Sequence, residues 1–485
     1  MILIGRKEQK AELERCARSE KPELVCVYGR RRVGKTFLVE ETFSGTFAFR
    51  ATGVESESTR FQLKSFYQRL REFGDTSRKA PADWFEAFSR LGKILSMPNV
   101  IRSPHGKRVV FLDEFPWMAA TSRSGFLEAF GEFWNRFGTA NHDLVLIICG
   151  SATSWIIRNI LEDTGDLYDR VTCQIYLRPF TLHETERFFQ ARDFGWSRMQ
   201  LAECQMIFGG LPFFLNLMDK NESLVWNVDH LCFQQGALLR NESKRLLETT
   251  LKKSDVYSKI LAFLSDHPYG VEKQKCENEI HAPHTTFFRA VEDLKKCAYI
   301  IEYKTNHNRD NPLWLQLMDP FLLFHYHFLS GQENAIESYS AFKSDEGKYT
   351  NWRGHAFENL CLSHIEEIRA AMGISGVKIK YFPWTSDRIT DGAQIDLVIE
   401  RADGLTNLCE MKFTDHPFSM TAKDEETLLH KRRVYQEETG THQALKLILI
   451  SASGIKGVKY TEQISRVLTL DDLFDWPISQ NRFSV

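Results

Sequence analysis

The 485-residue chain carries almost no charge imbalance: 62 Lys and Arg against 64 Asp and Glu leave a formal net charge of −2. A wholesale polycation is thereby excluded, and any nucleic-acid face has to be a local patch. No Cys-x-x-Cys pair occurs among the ten cysteines, so the usual anchor of a structural zinc or a dithiol redox centre is missing. Cys26, Cys149 and Cys409 sit inside apolar strand-like runs, where thiols behave as small hydrophobes, and a reduced, cytoplasmic protein is expected. Long hydrophobic runs are absent too. The most lipophilic stretch, residues 313–329, is broken by Asp319, Pro320, His325 and His327, too short and too polar for a bilayer span. The opening Met1-Ile2-Leu3-Ile4-Gly5-Arg6 turns charged too soon for a signal peptide, and a soluble chain with no membrane association is expected. There is neither an internal repeat nor a low-complexity segment. With 43% hydrophobic and 26% charged residues, the chain is not wholesale disordered.

What is present falls into three blocks. Up to about residue 180, short apolar strands (24–28, 109–112 and 144–149) alternate with helical patterns, as in a parallel sheet covered on both faces. From 181 to about 330 the pattern is mostly helical. Phe287, Val291 and Leu294 give one helix an apolar face, and runs at 300–303 and 313–317 flank the polar stretch 306–311 as a hairpin. The polar stretch 332–351 marks a boundary. Beyond it the chain reads helix (353–372), three strands (378–384, 394–400, 408–413), helix (425–438) and strand (445–451).

The first block carries Gly29-Arg30-Arg31-Arg32-Val33-Gly34-Lys35-Thr36 between an apolar strand and the helical start Phe37-Leu38-Val39. In this strand–loop–helix setting the glycines let successive N–H groups face phosphates. Lys35 is then placed on the β- and γ-phosphates of ATP, and the Thr36 hydroxyl on Mg²⁺. A second apolar strand ends in Asp113-Glu114, which assigns Asp113 to the metal and Glu114 to activation of water. A third ends at Gly150-Ser151, where the hydroxyl senses the γ-phosphate or orients water.

These segments resemble the AAA+/STAND group of P-loop ATPases, and most closely the archaeal-type ATPase family. The resemblance rests on Gly5-Arg6-Lys7-Glu8, Tyr28 through Thr36, Leu112-Asp113-Glu114-Phe115, Gly150-Ser151, Arg178-Pro179-Phe180 and Gly209-Gly210-Leu211-Pro212. It implies that Gly5 and Arg6 border the adenine, that Pro212 opens a lid helix, and that Arg170 acts as an arginine finger toward a neighbouring subunit.

In the last block, Asp396 lies in one predicted strand and Glu410-Met411-Lys412 in the next. Residues two apart share a strand face, so Glu410 and Lys412 project together. Adjacent strands would let Asp396, Glu410 and the Met411 carbonyl share one divalent ion, with Lys412 orienting water and Glu358 completing the site from the preceding helix. Lys431, Arg432 and Arg433 offer either phosphate contacts or a solvated helix face. The pattern resembles the PD-(D/E)xK restriction-endonuclease-like fold, with Ile395 replacing the proline.

The expected architecture is α/β: a P-loop ATPase core (1–180), a helical lid (181–250), a winged-helix-like module (251–331), a linker (332–350) and a PD-(D/E)xK nuclease-like domain (351–485). The expected function is an ATPase whose nucleotide state controls Mg²⁺-dependent action on DNA. The alternative is a nucleotide-controlled switch or scaffold whose nuclease-like domain is catalytically silent and binds DNA or a protein partner. Self-association is an expected form of partnership under either reading.

Overall fold

The computed structural model describes residues 3–475, apart from 56–57, 120–123, 163–166, 168, 251–254, 306–311, 331–337, 345, 389 and 458. It divides into two compact units, one of residues 1–179 and 248–252, the other of 180–247 and 253–485.

In the first unit β1 (Glu23–Tyr28), β2 (Phe47–Thr52), β3 (Arg108–Asp113), β4 (Leu144–Gly150) and β5 (Cys173–Tyr176) form a parallel sheet in the order β2-β3-β4-β1-β5. β1 pairs with both β4 and β5, so the carboxyl ends of β1, β3 and β4 open on one edge. β3 and β4 are buried along every residue, which is why they read as unbroken apolar runs. β2 and β5 are edge strands with exposed Arg50 and Gln174, and this mixed burial hid them in the sequence.

Helices Trp84–Leu95 and Phe126–Phe133 pack together in the core. Asp83 caps the first by accepting the Glu86 N–H, and Trp84, Phe88, Leu91 and Leu95 form its inward stripe. Trp84 meets Phe126 edge-on at 4.7 Å, and Phe115 meets Phe126 and Phe130 at 4.8 Å each. Phe115 directly follows Glu114, so this aromatic core anchors the end of β3. Truncating such a ring costs about 3–5 kcal/mol.

The second unit begins with helices that include Leu182–Gln190 and Arg198–Phe208. A module follows: helix Asp255–Ser265, β6 (Val271–Glu272), helices Lys273–Ile280 and His284–Lys296, then β7 (Ile300–Lys304) and β8 (Leu313–Leu317), in an antiparallel sheet of order β6-β8-β7. Phe287, Val291 and Leu294 are buried together, as their spacing requires. The polar residues 306–311 lie outside the described residues.

The boundary stretch contains helices Tyr339–Ser344 and Glu346–Ser363. They are anchored because one oxygen of the buried Glu203 accepts from Tyr339 Oη at 2.8 Å, Lys343 Nζ at 2.9 Å and Tyr349 Oη at 2.5 Å. The single helix expected at 353–372 is interrupted at His364, whose Nε2 accepts the Leu182 N–H at 3.0 Å. A separate helix, Ile365–Ala371, follows.

The last sheet joins β9 (Ile379–Thr385), β10 (Gln394–Arg401), β11 (Leu405–Lys412), β12 (Ala444–Ser451) and β13 (Ile464–Leu468), in the order β13-β12-β11-β10-β9. It is mixed, with β9, β10 and β11 antiparallel and β11, β12 and β13 parallel. Helix Ala422–Thr439 lies between β11 and β12 in the chain. Among the described residues, no helix is long and apolar enough to cross a membrane.

Candidate functional site

The turn after β1 is built by backbone geometry. Gly29 has φ 142°, and a Cβ there would stand 2.3 Å from the Leu177 carbonyl oxygen, so only glycine fits against the chain leaving β5. Gly34, at φ 90°, precedes helix Lys35–Phe43, and a Cβ there would meet nothing within 4 Å. The turn is therefore packed on one side and open at the helix N-terminus, where N–H groups and the helix dipole favour an anion.

Arg30, Arg31, Arg32 and Val33 form the crown of this turn, with Val33 buried and Arg32 at φ 72°. Lys35 is buried, and its Nζ donates to the carbonyls of Gly29 at 2.8 Å and Arg30 at 2.9 Å. Burial holds its ammonium below the usual lysine range, although Glu114 and Asp113 pull the other way. Phe37 is half-buried in the first helical turn.

Thr36 Oγ1 donates to Asp113 Oδ2 at 2.9 Å. Burial and then the adjacent Glu114 push the Asp113 carboxyl above its ordinary range, while the Thr36 hydrogen bond opposes them. Asp113 and Thr36 are hard oxygen donors of the kind Mg²⁺ takes. Glu114 has φ 46° and stands, in a left-handed conformation, just before the short helix Phe115–Met118. Ser151 Oγ donates to Glu114 at 2.9 Å to Oε2 and 3.1 Å to Oε1. Lys35, Thr36, Asp113, Glu114 and Ser151 thus share the open edge of one sheet.

The outlying residues are placed differently. Gly5 and Arg6 have φ 68° and 57°, and Arg6 is buried with its guanidinium donating to the Arg178 carbonyl at 2.6 Å. Arg170 is exposed in a turn closed by its N–H on the Leu167 carbonyl at 3.1 Å, while Tyr168 beside it lies outside the described residues. Pro212 opens the short helix Pro212–Leu215 in the second unit. There the Phe180 N–H donates to the Gly210 carbonyl at 2.7 Å, so the Arg-Pro-Phe and Gly-Gly-Leu-Pro segments meet.

In the last sheet β10 and β11 are neighbours, and Asp396 Oδ2 accepts the Met411 N–H at 2.7 Å. The register of β10 against β9 slips between Ile395 and Val398, a bulge that re-aims Asp396. Its trace in the sequence is the broken alternation of Ile395, Leu397, Val398 and Ile399, all buried. Burial, then Glu410 and Glu358, push the Asp396 carboxyl well above its ordinary range.

Glu410 and Lys412 share a face, with Lys412 Nζ donating to Glu410 Oε1 at 2.8 Å. Lys431 donates to Glu410 Oε2 at 2.5 Å, so it points inward rather than toward a phosphate backbone. Arg432 reaches Gln463 and Arg433 reaches His430. Burial alone would raise the Glu410 carboxyl, but Lys431 and Lys412 outweigh it and hold the group below its usual range. Glu358 lies 3.4 Å from His355 Nδ1. Among the described residues, no group of three or more His, Cys, Asp or Glu is arranged to hold a metal ion. As they stand, Asp396 and Glu410 do not fit a divalent ion, because an ammonium already occupies each Glu410 oxygen.

One residue beside this site was not foreseen. Tyr269, just before β6, meets the His355 ring edge-on at 4.5 Å. Burial, then Glu358 and Asp396, raise its phenol above the usual range. Nothing in its local sequence marks it, since only the packing of the module brings it here. In the same module Lys273 and Lys295 are both paired to Glu302.

Residues 3–217 match the family model of an ATPase domain found predominantly in Archaea. This part of the chain is similar to an archaeal-type ATPase domain, and the match supports ATP binding and hydrolysis. An uncharacterized protein of Methanocaldococcus jannaschii is 22% identical over 422 residues, covering 85% of this chain and 88% of that one. Among solved structures, a Walker-type ATPase of Pyrococcus abyssi shares 19% identity over 67% of this chain and 96% of its own, at a TM-score of 0.48. The Aeropyrum pernix ORC2 protein, solved in ADPNP–ADP complexes, shares 14% over 67% and 93%, at a TM-score of 0.41.

Proposed function

We propose that the chain is an ATP-hydrolysing protein whose nucleotide state controls a nuclease-like C-terminal domain acting on DNA. The carrying observation is the 2.9 Å contact between Thr36 and Asp113 beside the open turn at Gly34. These oxygens fit a Mg²⁺ ion carried in with the nucleotide, which when bound would shield phosphate charge. Lys35 exchanges its loop carbonyls for the β- and γ-phosphates. Glu114 takes the proton of the attacking water, and Ser151 holds Glu114 in place. Gly5 and Arg6 border the base, Pro212 belongs to the lid, and Arg170 reaches a neighbouring copy as an arginine finger.

The order helix, three strands, helix, strand supports the restriction-endonuclease-like reading of the C-terminal part, with Asp396 and Glu410-x-Lys412 on neighbouring strands. The order helix, strand, two helices and hairpin supports a winged-helix reading of residues 255–317.

A second reading, a nucleotide-controlled switch with a silent nuclease-like domain, is favoured by the commitment of Lys412 and Lys431 to Glu410 and of Lys273 and Lys295 to Glu302. These pairs leave a poor phosphate footprint. The test combines three assays on the purified chain. ATP turnover is expected in wild type and lost in Lys35→Ala; wild-type nucleotide affinity in that variant would overturn both readings. DNA cleavage with Mg²⁺ or Mn²⁺ that disappears in Asp396→Ala and Lys412→Ala supports the first reading, and intact DNA under every condition supports the second.

A further inference from the structure

We infer that the outer face of helix Thr59–Glu72 in the first unit, with the loop that follows it, is a binding surface for single-stranded nucleic acid. The inference goes beyond the proposed function, which sends DNA to the C-terminal part, and does not depend on that part being a nuclease.

Charge carries it first. Between Ser58 and Lys79 stand six basic residues, Arg60, Lys64, Arg69, Arg71, Arg78 and Lys79, against two acidic ones, Glu72 and Asp75, in a chain whose net charge is −2. Both carboxylates are taken, Glu72 by Arg69 and Asp75 by Arg90 of helix Trp84–Leu95. Among the described residues, Arg60, Lys64, Arg71, Arg78 and Lys79 are left without an acidic partner. Lys273, Lys295, Lys412 and Lys431 differ in this respect, being spent on Glu302 and Glu410.

Geometry then gathers the free cations. Gln62, Leu63, Phe66 and Leu70 are the buried side of the helix. Arg60, Lys64, Gln68 and Arg71, at i, i+4, i+8 and i+11, therefore form one exposed stripe on its other side. The stripe is about 16 Å long at the helical rise of about 1.5 Å per residue. The loop extends it, because Tyr67 Oη and Arg71 Nη1 both donate to the Ser77 carbonyl, at 2.7 Å and 3.0 Å. These bonds set the exposed Arg78 and Lys79 beside Arg71. A row of cations with no carboxylate among them fits a row of phosphates.

Phe61 favours a single strand over a duplex. It is 52% exposed and stands one turn before Lys64, at the margin of the stripe. A phenyl ring open to water beside cations offers a stacking surface to an unpaired base, which a duplex, its bases already stacked, cannot use.

Fluorescence anisotropy of the full chain with a labelled DNA strand of about 16 nucleotides, and with the matching duplex, tests the surface. Wild type is expected to prefer the single strand, with a log–log salt slope no steeper than roughly −3.5 for about five phosphate contacts. Arg60→Glu combined with Lys64→Glu should weaken binding at least about tenfold and flatten that slope. Arg60→Lys with Lys64→Arg should bind as wild type does. Phe61→Ala should lose at least about fivefold for the single strand while keeping the slope. An unchanged thermal midpoint in each variant shows that folding is not the cause. If the charge-reversed variant binds as tightly as wild type, the surface is wrong while the DNA reading stands. Equal affinity for strand and duplex, with Phe61→Ala silent, would overturn the single-strand assignment. If wild type binds neither DNA form, or binds only vesicles of anionic lipid, the inference fails and the DNA reading fails with it.

Discussion

Ser151 donates its hydroxyl to both carboxylate oxygens of Glu114, joining the end of β4 to the end of β3 across the sheet edge. Glu114 is thereby oriented by a group on a different strand, while Asp113 is committed to Thr36. Two adjacent carboxylates are given separate tasks by one left-handed residue. Glu114→Gln is expected to keep ATP affinity and lower kcat by roughly 10²–10⁴-fold. Ser151→Ala leaves the carboxylate in place but unguided, and roughly a tenfold loss in kcat with KM changed less than about twofold is expected. Steady-state ATPase kinetics with a direct nucleotide-binding measurement check both. An unchanged kcat in Ser151→Ala would remove its positioning role.

The two loop glycines should fail in different ways. Gly29→Ala drives a methyl into the Leu177 carbonyl at 2.3 Å, and a stability loss of about 2–4 kcal/mol is expected, read as a lowered thermal midpoint without ligand. Gly34→Ala meets open space, so its cost is the left-handed backbone alone, about 1–2 kcal/mol. Strain in that backbone disturbs the loop N–H groups offered to phosphate, and nucleotide binding is expected to fall at least about tenfold. Equal binding losses at matched stability would contradict this division.

Much of this site was legible in the sequence because its chemistry is local. The loop from Gly29 to Thr36 is contiguous, and the carboxylates of Asp113 and Glu114 end an apolar run whose burial is complete. The C-terminal site is harder to read. Asp396 and Glu410 can be foreseen on neighbouring strands, but the bulge that aims Asp396 shows only as a broken alternation. The inward direction of Lys431 depends on which helix face is buried, and a charged Lys-Arg-Arg run conceals it. Tyr269 could not be found at all, since it reaches His355 through the packing of separate segments. The edge strands β2 and β5 escaped for a related reason: exposed residues break their apolar runs, while β3 and β4 are buried throughout.

Glu203 is expected to be a stability centre for the second unit. Its Oε1 collects two phenols and an ammonium from helices Tyr339–Ser344 and Glu346–Ser363. Removing the carboxylate leaves two buried phenols and a half-buried ammonium short of an acceptor. Glu203→Ala should cost about 3–5 kcal/mol, and Tyr349→Phe, which removes one donor, about 1–2 kcal/mol. ATPase activity of the first unit, measured below the lowered unfolding midpoint, is expected to persist in Tyr349→Phe. Thermal unfolding of the three proteins side by side checks the ranking, and a Glu203→Ala midpoint equal to wild type would refute it.

His325 gives the second unit an acid limb. Burial lowers its imidazole to about 4 from an ordinary value near 6.5, and Ser243 Oγ lies 2.9 Å from Nε2. Because the folded value is the lower one, the unfolded chain binds the extra proton between the two values. The stability due to neutral burial is therefore complete above about pH 6.5 and is lost progressively as pH falls toward about 4. The size of that loss over the whole range is on the order of 3 kcal/mol. His325→Gln retains a polar partner for Ser243 but cannot take up the proton. Its thermal midpoint should fall less than that of wild type between about pH 7.5 and pH 5. The two proteins would then differ most at neutral pH, where the wild type keeps its advantage, and converge in acid. Parallel pH dependences in the two proteins would place the acid sensitivity elsewhere, and His327, whose imidazole is also lowered by burial, would be the next residue to substitute.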